Sequence, residues 1–333
     1  MSNPRRSDFD ITNSVQVSSP RAVHGAVVQL LQAGWPGIEL PAVHSSFEMF
    51  EQMFRGRMPG YEGVDTLYHD MQHTLDITLA MTRLMAGFER QSSPQHALGA
   101  ERAIVGVVTA LFHDVGYLRE SHDVEHANGA EFTRNHVSRG AAFLRGYLPQ
   151  IGLGHWADVV AEIIHFTGYE RPFADIATPN PIDRQLGYLL GTADMMAQMA
   201  DRCYLEKCRD RLYPEFVLGG VALQLAANGS RAVRYASGLD LLRQTTQFMT
   251  EVRAKRLDGD FAGSFRYVEI LFGGRNPYIE GIERNYAFLQ QILRSESWHL
   301  LRRSPPVFAA VPDPVANVRG LMAHYMRRVW STG

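Results

Sequence analysis

Three features of the sequence predict an all-α chain. Apolar residues recur at three- and four-residue spacing through most of its length. No run shows the strict alternation of a half-buried strand. The interruptions are short Gly- and Pro-containing clusters. In order, residues 1–20 are polar and aperiodic and read as a flexible tail. Two N-terminal helices are expected within 21–59: 22–33, stopped by Gly34-Trp35-Pro36-Gly37, and 45–54, with Ser46 as a candidate cap. Residues 60–215 form the central unit. Helices are predicted there at 66–88, 101–115, 129–147 (ended by Pro149), 156–166 and 182–204. Residues 216–333 form a helical extension, with candidates at 216–227, 239–256, 265–271, 279–293 and 315–329. Asn228-Gly229-Ser230 separates the first two of these.

The length of 333 residues is enough for one large domain or two small ones, with a substantial core. A formal net charge of -2 and the lack of a basic block argue against nucleic acid as the main partner. Two cysteines, Cys203 and Cys208, are too few for a disulfide framework and are expected to be reduced thiols. No apolar run reaches the ~20 residues of a membrane span. The N-terminus lacks an apolar signal core, so the expected location is the cytoplasm, without a membrane partner.

The chemistry gathers around the apolar run 103–112, which leads directly into His113-Asp114. A buried imidazole or carboxylate is costly unless it is paired or bound to a metal. His69 and His73 are four residues apart and would share one face of the 66–88 helix. His136, His165 and Asp194 each fall on a separate predicted helix, and facing helices of a bundle can build a metal site. His73, His113, Asp114, His136, His165 and Asp194 supply four nitrogens and two carboxylates. That exceeds the four ligands of a tetrahedral zinc, so two divalent transition-metal ions sharing a carboxylate are expected. Iron, manganese and zinc all suit these ligands, and magnesium is an option at one site. His122, Asp123 and His126 read as solvated loop residues. Asp201, Arg202, Glu206 and Lys207 read as ion-paired packing, and Asp76 as an orienting partner of a ligand imidazole.

The order His, His-Asp, His, His, Asp over residues 60–215 resembles the HD superfamily of metal-dependent phosphohydrolases. The resemblance implies an HD-domain helical bundle in which His73, His113, Asp114 and Asp194 hold one metal. Asp114, His136 and His165 hold the second, with Asp114 bridging and a bridging hydroxide attacking phosphorus. Tyr68-His69-Asp70-x-x-His73-Thr74 is similar to the Tyr-His-Asn-x-x-His-Ala signature of cyclic-nucleotide phosphodiesterases, which implies that His69 is the general acid. Those enzymes carry His-Asp-Val-Asp-His where this chain has His113-Asp114-Val115-Gly116-Tyr117. The set Glu131, His136 and Gly140 resembles the middle motif of the HD-GYP phosphodiesterases, whose paired His-His and Gly-Tyr-Pro are missing here. The expected function is hydrolysis of a nucleotide or similar small phosphoester. The C-terminal extension would shape the pocket or a homodimer face. Mixed-valent di-iron oxygenases have the same ligand order and form the alternative. A non-catalytic HD sensor module is the third reading.

Overall fold

The computed structural model describes residues 6–225 and 231–331. It is all-α, as the spacing predicts. The helices are α1 (Pro20–Gly34), α2 (Pro41–Phe54), α3 (Met71–Gln91), α4 (Gly99–Leu111), α5 (His136–Tyr147), α6 (Ala157–Ile163) and α7 (Pro181–Ala200). They continue with α8 (Tyr204–Lys207), α9 (Tyr213–Leu218), α10 (Gly238–Glu251), α11 (Pro277–Ser295) and α12 (Pro314–Ser331). The expected helix over 216–227 is cut short. After α9 the chain forms a small antiparallel hairpin, β1 (Leu223–Leu225) with β2 (Arg231–Val233), which the sequence reading did not anticipate. The separator 228–230 lies outside the described residues.

Helix α3 is the axis of the bundle. All of its residues from Met71 to Phe88 except Asp76 are buried, and it packs against α1, α4, α7 and the 3₁₀ segment Ser264–Leu271. A helix covered on every side belongs inside a larger protein. Fully covered residues such as Leu75, Leu79 and Met81 each contribute about 1.5–3 kcal/mol of transfer free energy. Among the buried polar side chains of α3 is the cation of Arg83. Its guanidinium donates to Asp10 Oδ2 at 2.7 Å and to the Tyr278 hydroxyl at 2.7 Å.

That ion pair corrects the expectation of a flexible tail. Residues 6–19 form a tight turn on the bundle, with Ile11 and Val17 in the core and Asp10 fully buried. The Asp10 carboxylate also accepts the backbone N–H groups of Thr12, Ser14 and Val15. The polar side chains that suggested a tail are bonding to their own backbone. Ser46 is likewise no cap. It sits inside α2, where its hydroxyl meets that of Tyr147 at 3.1 Å, and Pro41 opens the helix five residues earlier.

The C-terminal extension returns to the central unit. Phe308 donates its N–H to Asp70 Oδ2, and Ala310 donates to the Val64 carbonyl. Val318 of α12 is buried with Leu67, Ala130 and Leu218. Among the described residues no helix is long and apolar enough to cross a membrane. Cys203 and Cys208 are both buried free thiols.

Candidate metal centre

His69 lies outside the helix expected to carry it. Asp70 is extended (φ -89°, ψ 179°) and caps α3, its side chain accepting the His73 N–H at 3.1 Å. His69 therefore precedes the helix and His73 sits in its first turn. The two rings still meet edge-on, with centroids 5.2 Å apart. His113 and Asp114 follow the end of α4 rather than riding on the helix predicted at 101–115. Asp114 bends the chain (φ -102°, ψ 8°) and its carboxylate turns back to His113, with Oδ2 3.2 Å from His113 Nε2. The turn needs Gly116, because a Cβ there would lie 1.9 Å from the carbonyl oxygen of His136.

The Asp114 carboxylate is the meeting point. Oδ2 is 3.3 Å from His73 Nε2, and Oδ1 faces His136 Nε2 at 3.7 Å. Asp194, from the middle of α7, lies 4.0 Å from His73 Nε2. Two sets of three donor atoms fall within 4.8 Å of one another: His69, His73 and Asp114, and His73, His113 and Asp194. His136 and His165 belong to neither set. His136 is nonetheless brought to Asp114. His165 is buried, and the charges acting on it are those of Arg171, Glu170, Glu162 and Arg145.

The atoms present fit a cation. His113 Nε2 and Asp114 Oδ2 are buried with no hydrogen-bond partner among the described residues, as is His165 Nδ1. Orphaned buried polar atoms cost about 1–3 kcal/mol each. A cation between them removes that cost. The tautomers suit ligation as well. His113 Nδ1 bonds the Ala110 carbonyl at 2.8 Å and His136 Nδ1 bonds the Thr133 carbonyl at 3.0 Å. A carbonyl only accepts, so both Nδ1 atoms carry hydrogen, which leaves Nε2, on the Asp114 side, as the nitrogen a cation would take.

Burial lowers His113, but the Asp114 carboxylate outweighs it and lifts His113 to about 9, so without a cation the two pair as ions. Burial would raise the Asp114 carboxyl, but the neighbouring His113 and His73 outweigh it and hold Asp114 well below the carboxylate range. Burial pushes Asp194 up, opposed by His113 and His73. Burial lowers His136 and His165, favouring the neutral imidazole a metal requires.

Three participants carried no sequence signal or a weak one. Glu215 of α9 is fully buried and lies 146 residues from His69, with Oε2 2.6 Å from His69 Nδ1. Its Oε1 accepts the backbone N–H groups of Tyr68 and His69. Burial lowers the His69 pKa, but the charge and hydrogen bond of Glu215 outweigh it, and the net shift is upward. Tyr117 stacks against both the His69 and His136 rings, 4.4 and 4.3 Å away, and those two rings lie 6.3 Å from each other. Gln198, one turn after Asp194, donates to Asp194 Oδ1 and accepts from the Tyr68 hydroxyl. Its i+4 position was a readable hint.

Other candidates stand outside the cluster. The His122 side chain is 83% exposed, and His126 bonds Asp123, as solvated loop residues should. Lys207 pairs with Asp201, while Glu206 pairs with the distant Arg303. Asp76 lines a cavity of about 10 Å³ beside His73, with Tyr68, Gln72, Gln198 and Lys207. No protein-family model matches the chain, and no curated protein matches it significantly.

Proposed function

We propose that the chain is a divalent-metal-dependent phosphohydrolase acting on the phosphodiester of a nucleotide or similar small molecule. The observation that carries this reading is the placement of the His69–Glu215 pair against the His73, His113, Asp114 and Asp194 cluster. His73, His113, Asp114 and Asp194 would hold one metal. Asp114 and His136 face a second position, to which His165 would have to swing its orphaned nitrogen. Bound divalent cations supply Lewis acidity for activating water and neutralising phosphoryl charge.

The chain's own groups then account for the proton. Water oxygen adds to phosphorus as the bond to the leaving oxygen breaks. His69, held as imidazolium by Glu215, gives that oxygen its proton and recovers one from the attacking water. Stacked Tyr117 restricts the ring to one orientation. The di-iron oxygenase reading uses the same ligands but has no role for a carboxylate-supported imidazolium, and neither does a sensor.

The test is a hydrolysis panel of cyclic mononucleotides, cyclic dinucleotides and simple phosphodiesters with manganese, iron, zinc or magnesium, alongside oxygen uptake. Metal-dependent turnover, lost in His69→Ala with metal retained, supports the reading. An iron redox signature with oxygen uptake and no phosphoester turnover overturns it.

A further inference from the structure

Arg256 lies in a segment the hydrolytic reading has not used, the π-helical run Val252–Asp260 that follows α10. Its guanidinium is tied by two routes to the elements that carry His165 and Asp194. Nη2 donates to the carbonyl of Gly168, three residues beyond His165, at 2.8 Å. Its carbon lies 5.3 Å from the ring centre of Phe261. Phe261 in turn fills the space at Gly191, where a Cβ would meet the ring at 2.5 Å, and Gly191 is one turn before Asp194 on α7. Arg256 thus spans the seam between the elements that carry His165 and Asp194.

The side chain is 11% exposed, and its charge is only loosely met, by Asp260 at 3.5 Å. Nε is buried with no hydrogen-bond partner among the described residues. A buried guanidinium N–H without an acceptor is costly and is best satisfied by an anion. Above it lies Tyr169, 65% exposed, an unusual state for so large an aromatic. The guanidinium carbon is 4.7 Å from the Tyr169 ring centre. The next residue, Glu170, caps the start of α5 at Val137 and stands 3.8 Å from His136 Nδ1. An exposed ring backed by an arginine is a stacking platform for a planar group.

We infer that Arg256 and Tyr169 form a substrate subsite at the rim of the His/Asp cluster, taking an anionic group joined to a planar ring, as in a nucleotide. The inference rests on the hydrolytic reading and narrows its substrate to phosphoesters that bear a base.

Two diesters test it, followed by 31P NMR with the metal-loaded protein: adenosine 5′-(methyl phosphate) and ringless glycerol 3-(methyl phosphate). Arg256→Lys keeps a cation able to bond Gly168 but removes the Nε–H. Tyr169→Leu removes the ring. Tyr169→Leu is expected to raise KM for the adenosine diester at least tenfold with little change in kcat, while kcat/KM for the glycerol diester falls no more than threefold. Arg256→Lys, which touches the anion common to both, is expected to raise both KM values at least tenfold. Equal losses on both substrates in Tyr169→Leu, or an adenosine KM unmoved by either substitution, overturn the subsite. If the wild type hydrolyses neither diester, it is the hydrolytic reading that fails. Calorimetric binding of AMP then decides the subsite: affinity weakened tenfold by both substitutions supports it, and no binding or equal binding overturns it.

Discussion

The Glu215 carboxylate holds the His69 imidazole by Nδ1 at 2.6 Å while also accepting the Tyr68 and His69 backbone N–H groups. One buried side chain therefore fixes both the ring and the loop on which it stands. Glu215→Gln keeps the size and an acceptor but removes the charge. On the hydrolytic reading, phosphodiester turnover should fall about 10²-fold, the lower range for loss of general-acid catalysis. Metal content, read by elemental analysis, should stay at the wild-type level. Loss of metal together with turnover would make Glu215 a support of the metal site instead.

Cation binding should appear as stability. A cation at a hundred times its dissociation constant adds about 2.7 kcal/mol, a rise of several degrees in Tm. The rise is expected on adding manganese or zinc to metal-stripped wild type. It should vanish in Asp114→Asn, because Asp114 serves His73, His113 and His136 together. A wild-type Tm indifferent to both metals would argue against the centre.

The Asp10–Arg83 pair sets an acid limit. Burial raises the Asp10 carboxyl, but Arg83, Thr12 and the Val15 N–H outweigh it and bring the pKa down to about 2. A folded-state pKa below the unfolded value gives stability that is complete above about pH 4 and is lost as pH falls toward 2. The shift corresponds to about 2 kcal/mol. Urea unfolding should show Asp10→Asn less stable than wild type by about that amount at pH 7, with the gap closing between pH 4 and pH 2. A gap independent of pH would assign the loss to hydrogen bonds alone.

Asp70 joins the start of α3 to the returning C-terminal segment, bonding His73 N–H and Phe308 N–H, with Arg211 3.6 Å away. Asp70→Ala removes a cap, worth about 0.5–2 kcal/mol, and frees residues 305–310. Amide hydrogen exchange should quicken at both Val64–Met71 and Phe308–Ala310. Asp70→Asn, which keeps the acceptor for His73, should retain more of the stability. Faster exchange at only one of the two segments would show that they are not coupled through Asp70.

Much of this was legible in the residue order. The all-α class followed from spacing, since long apolar-periodic segments leave one way to bury their stripes. His73, His113, Asp114 and Asp194 stood out because each is local to a buried helix or its end. Helix ends were less legible. The helix predicted over 66–88 begins only at Met71, because Asp70 spends its carboxylate on the cap and leaves His69 outside. The polar run 6–19 looked unstructured because its partner, Arg83, is more than seventy residues away.

What the sequence determined by itself is the helical class, written in short-range spacing, and a group of His and Asp residues, of which His73, His113, Asp114 and Asp194 converge where they could hold a cation. Tertiary structure alone decided that Glu215 reaches His69, that Arg256 stands beside Tyr169, and that His136 meets Asp114 while His165 stays outside both donor sets. The reason is physical. A contact between residues scores to hundreds of positions apart leaves no periodic trace in either segment, and only the packing of the helices brings its two ends together.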